Sequence, residues 1–180
     1  MNRELHALYE RLHGADREDA RRAARELNSR GDVVAVSACL LGERVRYDGA
    51  DKLDPRVPAR LGGRTVLPIC PEMLAGLGTP RPAIHFAHGD GDALLEGAGA
   101  AIDEHGRDAG PALRLGAERA AELVGLAGAR GAILKARSPS CGLLQVHTGA
   151  GLSPGRGCFA ALLVRAGLDC DDEEGAKYTR

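Results

Sequence analysis

Five cysteines stand at positions 39, 70, 141, 158 and 170, and three of them share a local context. Cys39 follows the apolar, β-branched run 33–36 and sits in Ser37-Ala38-Cys39-Leu40-Leu41-Gly42. Cys70 follows the run 65–67 and sits in Pro68-Ile69-Cys70-Pro71-Glu72. Cys141 follows Ala132-Ile133-Leu134 and closes the polar turn Ser138-Pro139-Ser140-Cys141-Gly142. Pro139 fixes its own φ and Gly142 tolerates a sharp bend, so this last thiol is held by a constrained loop. In a parallel sheet the C-terminal ends of the strands lie together, and ligand sites form there. Three thiols far apart in sequence could therefore converge on one centre. Soft thiolates favour iron-sulfur clusters, zinc or copper. Four cysteines saturate a [4Fe-4S] cluster, so three would leave one position open, which is catalytic in character. The alternative is three separate buried cysteines acting as small hydrophobes.

The elements that must position these residues read as follows. Residues 3–13 and 16–29 predict two helices. Asp16 is a candidate cap, with only Asp19 where a capping box wants glutamate or glutamine. Ala20, Ala23, Ala24 and Leu27 form an apolar stripe at helical spacing, with arginines opposite. Strands are expected at 33–36, 65–67 and 132–134. A polar surface excursion is expected over 50–63, with short helices at 73–77 and 158–165 and a longer one at 112–126. The segments 83–86, 93–95 and 100–102 read as short strands or loop, and 143–147 as another extended piece. His85 and His88 would suit metal ligation only on a helix, which Pro82 and Gly89 argue against. The acidic tail from Asp169 is expected to be frayed. A helix preceding a strand, as at 112–134, is the step that builds a parallel sheet. The expected fold is α/β: one compact domain with a mainly parallel, Rossmann-like sheet flanked by helices, plus an N-terminal helical extension. The boundaries are 1–31 for the extension, 32–174 for the α/β catalytic domain and 175–180 for a flexible tail.

Composition narrows the class. A chain of 180 residues with 44% apolar content can bury a sizeable core, and no apolar run is long enough to cross a membrane. The first residues lack the apolar region of a signal peptide, so a cytoplasmic protein is expected. An odd cysteine count then argues against a disulfide scaffold, and no two cysteines have zinc-knuckle spacing. The formal net charge of -1 argues against non-specific binding to long nucleic acid. Two Phe, three Tyr and no Trp offer no stacking platform for single strands. Arg17, Arg21, Arg22 and Arg25 read first as a solvated face and leave a small opening for RNA. A homodimer is compatible with a small α/β domain.

Several stretches together resemble the DUF523 family of small bacterial and archaeal proteins, which includes the thiouracil desulfidases. They are Val36-Ser37-Ala38-Cys39-Leu40-Leu41-Gly42, Val45-Arg46-Tyr47-Asp48-Gly49, Pro68-Ile69-Cys70-Pro71-Glu72, Lys135-Ala136-Arg137-Ser138-Pro139-Ser140-Cys141-Gly142, and Gly155-Arg156-Gly157 before Cys158-Phe159-Ala160. The resemblance runs from about Val33 to Glu174, leaving the N-terminal extension outside it. It implies that Cys39, Cys70 and Cys141 hold a [4Fe-4S] cluster whose fourth iron has no protein ligand. Some relatives carry a further cysteine before the Arg-Tyr-Asp-Gly stretch, where this chain has Val45.

The implied activity is removal of sulfur from a small thiolated pyrimidine, 2- or 4-thiouracil or a thiouridine, as hydrosulfide. A related two-domain form is thought to act on thiolated tRNA bases, and neutral charge with few aromatics favours a small molecule over tRNA. The implied step is non-redox water attack at a cluster-bound thiocarbonyl. Glu72 is the candidate base, two residues from a ligand, or else a residue facing a helix N-terminus. Ser138 and Ser140 are candidates for orienting the base or the cluster, or simply brace the turn. Arg46 and Asp48 either pair with each other across a loop or read the pyrimidine edge. Lys135 is expected to pair or snorkel at its strand end. Cys158 and Cys170 are not expected to ligate. The alternatives from other classes are an iron-sulfur sulfur carrier, a redox sensor, or a zinc-binding structural module.

Overall fold

The computed structural model describes residues 3–178. Helices α1 (Arg3–His13) and α2 (Arg17–Asn28) open the chain. Asp16 caps α2 by itself, its carboxylate accepting the N–H groups of Glu18 and Asp19. The arginine face of α2 is largely engaged by acidic neighbours: Arg21 pairs with Glu18 and Glu122, Arg22 with Asp19, and Arg25 with Glu18. Exposed pairs of this kind contribute little stability.

Strands β1 (Val33–Ser37), β2 (Thr65–Ile69) and β5 (Gly131–Leu134) form the heart of the main sheet. β1 runs parallel to both neighbours. Every residue of β1 is buried, as a strand covered on both faces requires. Alternation assigns the two faces. Val33, Ala35, Leu67, Ile69, Ala132 and Leu134 join one core cluster with residues of α2, α6 (Gly110–Leu126) and α7 (Cys158–Arg165). Val34, Val36 and Ile133 join a second cluster with Tyr9, Leu40 and Val57. Leu12 of α1 and Leu27 of α2 lie inside the first cluster, so the N-terminal helices share the core of the sheet.

The tail departs from expectation. Instead of fraying, it adds β8 (Asp169–Asp172) parallel to β5 and β9 (Lys177–Tyr178) antiparallel to β8, giving the order β2-β1-β5-β8-β9. Acidic composition is overridden because Cys170 and Asp172 face inward and the Asp172 carboxylate accepts the N–H groups of Glu174 and Ala176. Of the segment expected to be a flexible tail, 175–178 belongs to this hairpin, and residues 179 and 180 lie outside the described residues.

A second sheet was not expected as such. β3 (Ile84–His88), β4 (Ala100–Asp103), β6 (Gln145–Thr148) and β7 (Gly151–Pro154) assemble in the order β4-β3-β6-β7. Residues 93–95, read as strand or loop, instead lie in helix α5 (Gly91–Leu95), capped by Asp90 on the N–H of Ala93. The excursion 50–63 contains helix α3 (Arg56–Leu61), nucleated on the buried Val57. The short helix expected at 73–77 begins earlier, as α4 (Pro71–Leu74), because Pro71 occupies the first helical turn and starts it.

Two packing details set the strand ends. Helix α6 approaches α4 at Gly116, where a Cβ would overlap the carbonyl of Pro71 and press on Ala75. Beyond β8, Glu173 turns back onto β5: its N–H donates to Leu134 O at 3.2 Å, and its carboxylate accepts the Ala136 N–H at 2.6 Å and pairs with Lys135 Nζ at 2.7 Å. Gly116→Ala should destabilise the chain by about 1–3 kcal/mol through overpacking, read as a lower midpoint in urea; an unchanged midpoint would show that α4 yields freely. Glu173→Ala leaves Lys135 with only the Ala136 carbonyl and strands the Ala136 N–H, and should cost about 3 kcal/mol. A stability equal to wild type would mean that Lys135 finds water at no cost.

Candidate functional site

The register brings the ends of β1 and β2 level, Ser37 opposite Ile69, with β5 alongside at Val36 and Ile133. Each of the three chosen cysteines leaves from one of these ends. Cys39 lies in a single turn of 3-10 helix, Ala38–Leu41, closed by Gly42 at φ 95. That φ is readily adopted only by glycine. Cys70 is the last residue before α4. Cys141 lies beyond β5 in a loop held from two sides. Ser138 Oγ accepts the N–H groups of Ser140 and Cys141 at 3.1 and 3.2 Å. The carbonyls of Pro139 and Ser140 accept the first N–H groups of α7, from Cys158 and Phe159.

The three thiols border one cavity of about 640 Å³. Its other walls include Arg46, Glu72, Lys135, Ser138 and, from the second sheet, His85 and His147. No disulfide joins any of the five cysteines. Cys39 and Cys141 are buried and Cys70 is partly so. Burial pushes the Cys39 thiol up to about 12, with the Cys70 charge adding to the rise and Lys135 opposing it. Burial and Glu72 push Cys70 to about 11. Cys141 is pushed well above the ordinary thiol range by burial, against a hydrogen bond from the Ser37 hydroxyl to its sulfur, and the Cys70 and Cys39 charges add to the rise. Such thiols are poor lone nucleophiles at neutral pH. A bound cation reverses that balance, because coordination removes the proton and supplies the missing positive charge.

The donor set therefore fits a soft metal centre. Among the described residues, no three His, Cys, Asp or Glu side chains converge closely enough to hold one metal ion. A cluster does not demand that convergence, since each sulfur binds a different metal atom. Cys158 and Cys170 are fully buried in the apolar core and do not border the cavity.

Glu72 is held tightly. Its Oε2 pairs with Arg81 at 2.6 Å, and its Oε1 accepts the Ser140 hydroxyl at 2.9 Å. Ser140 itself is buried behind the cavity wall, whereas Ser138 faces the cavity. Arg46 borders the cavity, pairs with Asp48 at 3.2 Å and packs its guanidinium 5.6 Å from the Tyr47 ring centre. Asp48 stands behind Arg46, its Oδ1 accepting the Ala50 N–H. Lys135 is paired at its strand end, with Glu173.

Sequence reading missed Arg81, Glu173, His13 and the cavity-facing role of two histidines. His13 Nε2 accepts the Cys70 N–H at 2.9 Å, and burial pushes its pKa down to about 4. His85 and His147 precede the register pair Phe86–Thr148 on neighbouring strands, and His88 lies outside the cavity lining. Arg81 carried one usable signal: it stands between Pro80 and Pro82, a backbone too constrained for an idle loop.

Comparisons with known proteins converge on the same stretch. The family model described as 2-thiouracil desulfurase matches residues 34–175. The uncharacterized protein YbbK of Bacillus subtilis (strain 168) is 30% identical over 138 residues, covering 75% of this chain and 91% of the relative. Among solved structures, the [4Fe-4S]-dependent thiouracil desulfidase TudS superposes with a TM-score of 0.67 at 37% identity, covering 80% of this chain and 92% of that one. With the match spanning all three strand ends that lead into Cys39, Cys70 and Cys141, and helix α7 beyond them, this chain belongs to the 2-thiouracil desulfurase family.

Proposed function

We propose that the protein is a desulfidase that removes sulfur from a thiolated pyrimidine as hydrosulfide, using a [4Fe-4S] cluster held by Cys39, Cys70 and Cys141. The observation that carries this reading is the opening of all three thiols, together with Glu72, onto one cavity at the level ends of β1, β2 and β5. Membership of the family and the likeness to a cluster-dependent thiouracil desulfidase support the same chemistry. The net reaction exchanges C=S and water for C=O and hydrogen sulfide, so it needs no electron donor. With three protein ligands, the cluster supplies one iron free to act as Lewis acid toward the thiocarbonyl sulfur.

The chain's own groups do the rest. Glu72 is the base that takes a proton from the attacking water. Its Oε2 faces both Nε and Nη2 of Arg81, at 2.7 and 2.6 Å, whereas Oε1 accepts the Ser140 hydroxyl and has a second acceptor site left for water. Those two contacts orient the carboxylate and hold it within reach of the cavity. Ser138 accepts two backbone N–H groups and keeps its own O–H to donate into the cavity. Arg46 offers donors to a pyrimidine carbonyl, with Asp48 fixing the guanidinium in place. No helix among the described residues is long and apolar enough to cross a membrane.

Glu72→Gln preserves size and the Ser140 contact but removes the base. It should retain iron and lower kcat for sulfide release from 2- or 4-thiouracil by about 10²–10⁴-fold; full turnover would move the base elsewhere. Arg46→Ala should raise KM while leaving iron content and kcat near wild type, because the lost contact is to bound substrate. An unchanged KM would remove Arg46 from the binding site.

A further inference from the structure

Helix α1 stands outside the family-matched residues 34–175, yet it reaches the cysteine site. Its last residue, His13, accepts the Cys70 N–H at Nε2, 2.9 Å away. A ring nitrogen that accepts from a backbone N–H carries no hydrogen, so Nδ1 must carry it. That hydrogen is donated to the Tyr9 carbonyl, 2.9 Å away. The His13 ring stacks on Tyr9, with centroids 4.0 Å apart and planes inclined by 23°. The stack delivers Tyr9 into the apolar cluster that holds Cys39 and against which Cys70 packs.

Tyr9 is only 3% exposed, and its hydroxyl has no hydrogen-bond partner among the described residues. A buried phenol O–H is seldom left without an acceptor, because it carries its full desolvation cost. Tyr9 also borders a smaller cavity with His6, Glu43 and Met73, where water can reach it.

We propose that α1 supplies a supporting layer to the metal site: His13, fixed by its stack on Tyr9 and its bond to the Tyr9 carbonyl, positions the backbone of Cys70. This rests on the reading of Cys70 as a cluster ligand. A fixed ligand backbone slows metal loss. The role is one of positioning, and His13 does not border the cavity.

The test uses the full chain, loaded and purified anaerobically, as wild type, His13→Gln and His13→Ala. Thermal melts confirm that each variant is folded. His13→Ala should lose iron to a chelator about 10-fold faster. His13→Gln, whose amide oxygen can accept the Cys70 N–H, should restore the wild-type rate. Iron loss from His13→Ala at the wild-type rate would overturn the positioning role. A wild-type chain that takes up no cluster would instead overturn the ligand reading of Cys70, and this layer with it.

Discussion

Parallel pairing of β1 with both β2 and β5 is the constraint on which the site depends. The shared register ends the three strands at one level, and each chain then turns through a loop that carries one cysteine. That register brings residues 39, 70 and 141 to one end of the sheet. The strand ends are then tied laterally. Ser37 Oγ accepts the Lys135 N–H at 3.0 Å, joining the ends of β1 and β5. Ser140 donates to Glu72, joining the Cys141 loop to the Cys70 loop. Crosslinks of this sort keep the reacting groups within the tolerances that catalysis requires.

The electrostatics follow from burying thiols beside fixed charges. Left alone, each of the three cysteines is pushed up by burial; the Cys70 charge raises both Cys39 and Cys141, and Glu72 raises Cys70. The site is therefore unfavourable for free thiolates and becomes favourable once a multivalent metal group compensates them. Glu72 would be costly in such surroundings without Arg81, whose side chain is 5% exposed and pairs with it. Arg81 is itself held by a bond from its N–H to Tyr47 O at 2.8 Å and by Nη1 to Gly78 O at 2.6 Å. The Arg-Tyr-Asp-Gly loop and the Cys70 loop are thereby one mechanical unit around the cavity.

The legible parts of the fold were those with a local cause. Helices α1, α2 and α6 were written in apolar spacing, and β1, β2 and β5 in short apolar runs followed by turns. The three cysteine positions were legible because their context repeats. The second sheet was not, since β3 and β6 each bury only one residue, Phe86 and Val146, and so show no clear alternation. The strand Asp169–Asp172 was hidden by its charge, which only the neighbouring β5 and the bonds accepted by Asp172 explain. Glu173 and His13 act on partners far away in sequence and Arg81 reaches Glu72 across an irregular loop, and no periodicity reports such pairs. The sequence likewise showed where α1 is but gave no sign that its last turn reaches Cys70.

The most direct measurement is the iron and acid-labile sulfide content of anaerobically prepared protein. About four irons and four sulfides per chain are predicted, falling sharply in each of Cys39→Ala, Cys70→Ala and Cys141→Ala and unchanged in Cys158→Ala and Cys170→Ala. A colourless protein carrying one zinc, or iron that survives loss of any of the three cysteines, would contradict the shared cluster.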